Sequence, residues 1–382
     1  MKKILLGLVV TLVFFSATMT GAQEYIFDRE WGTRGSGEAE FYNPRAVAVD
    51  SSGYVYVVDH SNFRIQKFDS NGNYITQWGR DGFRFPDDDS AFFMPEAIAV
   101  DSSGNVYVVD RGHSNNTCVK KFDSEGRFLT KWGREGSGDG EFIFPIAVAV
   151  DPSGYVYVAD VSDERIQKFG SEGRFLIKWG REGSGNGEFM DIHAVAVDSS
   201  GNVYAGENSN YRVQEFDSEG RFLRKWGELG SDNGEFGYSG GIGIQAIAVD
   251  RSGNIYVADT ANNRIEKFDS GGNYITKWGS EGSEPGQFHY PVGVAVDSFG
   301  NVYVVDIGNI RIQKFRPVFR DIGGSETATT TTMMMREPMV VPTTTTTVMM
   351  RERVFPTTTA PAKYTTTTTK IPISPIKPYR KF

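Results

Sequence analysis

Cysteine is nearly missing: Cys118 is the only one among 382 residues. That excludes an internal disulfide, so stability has to come from a packed core. Cys118 itself reads as a small buried apolar residue rather than a reactive thiol. Histidine is almost as scarce, limited to His60, His113, His193 and His289. Zinc needs three or four ligands converging on the ion, so a zinc site is not expected. Helical periodicity fits nowhere between residues 23 and 324, because glycine punctuates the chain too often. No Ser-His-Asp order or nucleophile elbow is present. Gly136-Ser137-Gly138-Asp139-Gly140 and its kin lack the Lys-Ser/Thr of a phosphate loop, and read as connections.

Long apolar runs are missing too, apart from Ile4 to Phe15. Lys2 and Lys3 precede that run and a Thr20-x-Ala22 end follows it, the pattern of a secretory signal peptide cut after Ala22. The competing reading is a membrane anchor, for which the run is too short. Residues 1–22 are therefore expected to be a signal peptide and 23–320 one domain, with 321–382 a disordered Thr/Pro-rich stalk or tail. From Ser325 to Phe382 the chain holds 18 Thr and 7 Pro without any apolar period. Such a stretch cannot bury enough surface to offset chain entropy, and its hydroxyls are candidate glycan acceptors. Eight Lys/Arg against three Asp/Glu give it +5, and the signal adds +2. The overall −8 then leaves −15 on residues 23–324. An acidic body of that kind argues against nucleic acid as a partner.

What is abundant is repetition. Ala-Val-Ala-Val-Asp ends at Asp50, and variants end at Asp101, Asp151, Asp198, Asp250 and Asp297, steps of 51, 50, 47, 52 and 47 residues. In the first copy Tyr54–Asp59, Arg64–Asp69 and Tyr74–Gly79 follow, each rich in Val, Ile, Tyr or Phe and bounded by Ser, Asn, Asp and Gly. Four such runs per period of about 50 residues are four antiparallel strands, a to d, of a propeller blade. Alternating Ala46 and Ala48 suit the crowded strand nearest the axis. Phe68, Trp78 and their repeats suit packing between blades.

Counting strands predicts how the ring closes. Strands a, b and c occur six times. Trp-Gly also occurs six times, but the first copy, at Trp31, precedes any strand a. After Arg311–Phe315 no Trp-Gly follows, and Arg316-Pro317 breaks the pattern. Tyr25 to Gly32 must therefore supply strand d of the sixth blade, removing a free sheet edge. The expected fold is all-β, a six-bladed β-propeller of four-stranded antiparallel blades closed by the N-terminal strand.

The repeat resembles the NHL family through Phe41-x-x-Pro44, Val47-Ala48-Val49-Asp50, Gly53, Val55-Tyr56-Val57-x-Asp59 and Asn62-x-Arg64-Ile65-Gln66-Lys67-Phe68, in six copies across residues 25 to 316. The resemblance implies a binding platform for proteins, RNA or other ligands. A minority of relatives are lyases or hydrolases holding a metal in the channel. The family resemblance itself does not select a chemistry.

Residues that refuse to repeat point to a site. Just before strand a come Arg45, Glu96, Ile146, His193, Gln245 and Val292. Just after strand b come His60, Arg111, Val161, Asn208, Thr260 and Ile307. All should ring one mouth of the channel. Arg45, His60, Glu96, Arg111, His193, Asn208 and Gln245 are the ligand-binding candidates, set against an ordinary solvated rim. The Asp ending strand b and the Arg opening strand c recur as Asp59 with Arg64 through Asp306 with Arg311, with Cys118 replacing Arg in blade 2. Repetition makes them a structural clamp rather than catalytic groups. No cofactor is expected. Calcium is the one candidate, at Glu96 or at Asp87-Asp88-Asp89, the latter more simply a solvated insertion. The expected function is a secreted or cell-envelope monomer acting as a non-catalytic scaffold for a protein, peptide or polysaccharide. The rival is a metal-assisted lyase or hydrolase using the channel around His193 and Glu96.

Overall fold

The computed structural model describes residues 23–112, 116–238 and 242–319. The signal segment, His113 and the Thr/Pro-rich tail lie outside them. Six four-stranded antiparallel sheets form. Blade 1 comprises strand a (Pro44–Val49), b (Val55–Asp59), c (Arg64–Phe68) and d (Tyr74–Trp78). The same order recurs from Pro95 to Trp132, Pro145 to Trp179, Ile192 to Trp226 and Ile244 to Trp278. In blade 6, a (Pro291–Val296), b (Val302–Asp306) and c (Arg311–Phe319) are completed by the N-terminal strand Gln23–Trp31. Neighbouring a strands touch all the way round, including blade 6 against blade 1.

The closing pair is longer than counting suggested. It starts at Gln23, and Arg316-Pro317 does not end strand c: Tyr25 pairs with Pro317 and Gln23 with Phe319. Strand b of blade 6 stops pairing at Phe315, so Pro317 has one strand neighbour and its missing N–H interrupts no second ladder.

The core lies between blades. Phe41, Phe92, Phe142, Phe189, Phe236 and Phe288 are fully buried. Trp31, Trp78, Trp132, Trp179 and Trp226 each lie against the glycine of the next blade's c–d turn. Gly126 shows why glycine is required there: its φ is +80°, and a Cβ would stand 2.5 Å from the Trp78 ring. Among the described residues blade 6 has no c–d turn, because its strand d is the N-terminal strand. Tyr25 fills the gap instead, stacking on Trp278 at 4.3 Å and bonding the Tyr256 hydroxyl at 2.8 Å. The Trp residues are packing elements, as their repetition suggested.

Lysines on strand c tie blades together. Lys67, Lys121, Lys168 and Lys314 donate to Ser124, Ser171, Ser218 and Ser70 carbonyls of the next blade. Lys267, facing the seam, donates to the Tyr25 hydroxyl instead. Cys118 is buried, and burial pushes its thiol up to about 12, so it stays a thiol at neutral pH.

Candidate functional site

Two mouths open on the channel. At the a–b turns, six Val-Asp pairs from Val49-Asp50 to Val296-Asp297 line a cavity of about 510 Å³. These aspartates are committed to the framework. Asp151 is representative: Oδ1 accepts the Ser153 and Tyr155 N–H groups, and Oδ2 accepts the buried Tyr157 hydroxyl at 3.1 Å. The arrangement holds each turn and orients each tyrosine, six times over.

The other mouth carries the clamp between strands b and c. Arg64 meets Asp59 at 2.7 Å, Arg212 meets Glu207 at 2.6 Å, and Arg264 and Arg311 meet Asp259 and Asp306 at 2.8 Å. In blade 3, Arg165 stands nearer Asp163 (2.7 Å) than Asp160 (3.6 Å). Blade 2 has Cys118 in the Arg position. There Lys120, two residues further along strand c, takes over and meets Asp110 at 2.8 Å. Repetition with local repair marks a structural clamp. Blade 5 overloads it, since Glu266 sits where four blades have Gln and shares Arg264 with Asp259. Burial lifts the Glu266 carboxyl to about 7.

Among the non-repeating residues, four converge. The Glu96 side chain is 0% exposed and lies between two guanidinium groups. Arg45 donates from Nη1 to Oε2 at 2.9 Å, and Arg111 donates from Nη2 to Oε1 at 2.7 Å. The Arg111 guanidinium lies 3.8 Å above the Phe144 ring of blade 3. His60 Nδ1 is 2.9 Å from the Pro95 carbonyl and 3.9 Å from Glu96. A carbonyl only accepts, so Nδ1 carries the proton and Nε2 is bare. Burial lowers the His60 pKa despite the Glu96 charge, leaving the ring neutral. Thr260 makes the equivalent bond to Pro291 in blade 5, so this hydrogen bond of His60 is a framework contact.

His193 and Asn208 belong to a second group. His193 Nδ1 is 3.2 Å from Asp191 Oδ1. The His193 hydrogen bond, with help from Asn208 and Ser209, holds the Asp191 carboxyl below its usual range. The two groups share no hydrogen bond or ion pair among the described residues. Gln245 stands apart, half-buried. Among the described residues, no three His, Cys, Asp or Glu side chains gather as a metal site. Both Glu96 oxygens are occupied by arginine, Asp88 is paired with Arg80, and Asp89 meets Lys131 at 2.6 Å.

Sequence reasoning missed the ring around this mouth. Tyr42, Ile143, Met190, Tyr238, Ile242 and Tyr290 are 38–50% exposed in the connections leading into strand a. Phe144 and Asp191 come from the same connections. The signal was available: the two residues after each repeated Phe vary as freely as Arg45 and its counterparts.

Comparisons with known proteins place this frame. The family described as NHL repeat matches residues 41–68, 92–122, 243–268 and 288–315, strands a to c of blades 1, 2, 5 and 6. The protein brain tumor of Drosophila melanogaster is 32% identical over 112 residues, 29% of this chain and 10% of that protein. The peptidyl-glycine alpha-amidating monooxygenase of Mus musculus is 31% identical over 106 residues, 27% of this chain and 10% of that protein. The match thus spans a tenth of either curated relative. A solved structure of unknown function from Bacteroides thetaiotaomicron superposes with TM-score 0.58 at 17% identity, covering 78% of this chain and 76% of that one. That likeness concerns the fold alone.

Proposed function

Because this chain is an NHL-repeat six-bladed propeller, we propose that it is a non-catalytic scaffold binding a protein or peptide at the Arg45-bearing mouth. One observation carries this reading. Large apolar side chains from five of the six blades stay exposed on the face where the repeat breaks down, the face that also holds a buried charge cluster. Contiguous exposed apolar surface with a few fixed polar groups is what protein recognition uses. Brain tumor and the amidating monooxygenase match about a tenth of their own length to this chain, so their own activities do not transfer.

The test is selection of a phage-displayed random dodecapeptide library on the full chain, with Tyr42→Ser/Ile143→Ser/Tyr290→Ser as the comparison. Enriched peptides rich in apolar side chains that no longer bind the triple variant are the expected result. Enriched peptides that bind both proteins equally, or no enrichment, would remove this face from consideration. Export belongs to the same proposal and rests on Lys2, Lys3 and the Ile4 to Phe15 run. N-terminal sequencing of secreted chain should begin at Gln23; a start at Met1 would refute it.

A further inference from the structure

Resting on the scaffold reading, we infer that Arg45 and Arg111 together receive a single carboxylate from the bound peptide. The case begins with what the cluster is not required for. Among the described residues, no other blade junction carries an Arg–Glu pair at this position. Ile146, His193, Gln245 and Val292 occupy the Glu96 position in blades 3 to 6, and the ring closes all the same. A buried glutamate between two arginines is therefore a local addition, not a structural need of the blade.

Next is what Glu96 does to its partners. Buried carboxylates fix the guanidinium planes through charge-assisted bonds, and Phe144 supports Arg111 from below. Yet the arginines still reach solvent, with side chains 37% and 24% exposed. Arg45 uses Nη1 on Glu96, and its buried Nε has no partner. Arg111 uses Nε and Nη2. Among the described residues, Nη2 of Arg45 and Nη1 of Arg111 make no hydrogen bond. Two planar donors, already held in place, cost little further ordering when an anion arrives.

Charge then selects the anion. Two arginines, one glutamate and a neutral His60 leave the cluster at +1. One carboxylate balances that, whereas a dianionic phosphate or a polyanion would meet the −15 of the surrounding body. The exposed Ile143, next in sequence to Phe144, and Tyr42, whose carbonyl accepts the Ser61 N–H beside His60, favour an apolar peptide over a sugar acid as the bearer. A chain end and an acidic side chain present the same group, and experiment can separate them.

The full chain is probed on an array of apolar dodecapeptides in three matched sets. One has a free C-terminal acid and no acidic side chain; the second is amidated with one internal aspartate; the third is amidated with asparagine in its place. Binding should favour one of the first two sets over the third by about tenfold or more, a charge-assisted bond's usual contribution. Which set wins identifies chain end or side chain. R45Q/R111Q should abolish the preference. Since that change strands Glu96, R45K/R111K keeps the charge and removes the forks, and should cut the preference severalfold in a folded protein. Equal binding of all three sets would overturn the carboxylate while leaving the apolar scaffold intact. Retention of none of the sets would overturn both. Arginine-dependent capture of oligogalacturonate in place of peptides would refute the assigned partner class.

Discussion

At one mouth of the channel, six Val-Asp turns repeat almost without change; at the other, the second residue of the same six strands is Arg, Glu, Ile, His, Gln and Val in turn. The first mouth has the larger charge yet offers little of it, since each aspartate already accepts two backbone N–H groups and a tyrosine hydroxyl. The second holds its charges in opposite-sign pairs, yet part of its arginine donors remain uncommitted. The count of charged residues is thus a poor guide to a site. What matters is how much hydrogen-bonding capacity folding leaves over.

Substitutions can break this contrast, and the largest effect should fall on the repeated mouth. Asp151→Ala strands two turn N–H groups and a buried tyrosine hydroxyl, and should cost about 2–4 kcal/mol in urea melts with peptide binding unchanged. A loss under half a kcal/mol would show that the aspartate ring is not framework.

Glu266→Gln sharpens the comparison from the other side, by restoring a repeat where it departs. Burial raises the native pKa to about 7, against roughly 4.3 unfolded. Stability from that group is complete below the unfolded value and is lost as pH climbs through the native one. The substitution should therefore add about 1–3 kcal/mol at pH 8 and almost nothing at pH 4. A pH-independent gain would contradict the titration.

Glu96→Gln tests the variable mouth at its centre. The arginines can turn toward water, so a stability loss of about 1–2 kcal/mol is expected, with a larger proportional loss of peptide binding. Smallest of all, Tyr290→Ser should shift stability by about 0.5 kcal/mol or less while weakening the same peptides. If binding tracked stability across these variants, the two mouths would not differ in role.

The architecture was legible because a propeller writes its fold six times. Strand period, Trp-Gly count and the orphaned Trp31 sufficed for blade number and closure. Pro317 misled because the rule against strand proline assumes two neighbours, and the last residues of blade 6 have one. The charge cluster was legible in part. Arg45, Glu96, Arg111 and His60 were singled out for failing to repeat, but their contact across blades 1 and 2 depends on side-chain reach that spacing does not encode. His193 and Asn208 met the same criterion and joined a different group through Asp191. Phe144 and the apolar ring were overlooked because variable apolar residues in a connection resemble ordinary loop filler until exposure is known.

Gln23 pairs with Phe319 at the far end of the closing strands, on the side of the a–b turns. Gln23 and Phe319 therefore both lie on the face opposite Arg45. Immobilising the domain at Gln23 or Phe319 would leave the variable mouth pointing into solution, and joining the two through a short linker should permit circular permutation at any c–d turn without touching it.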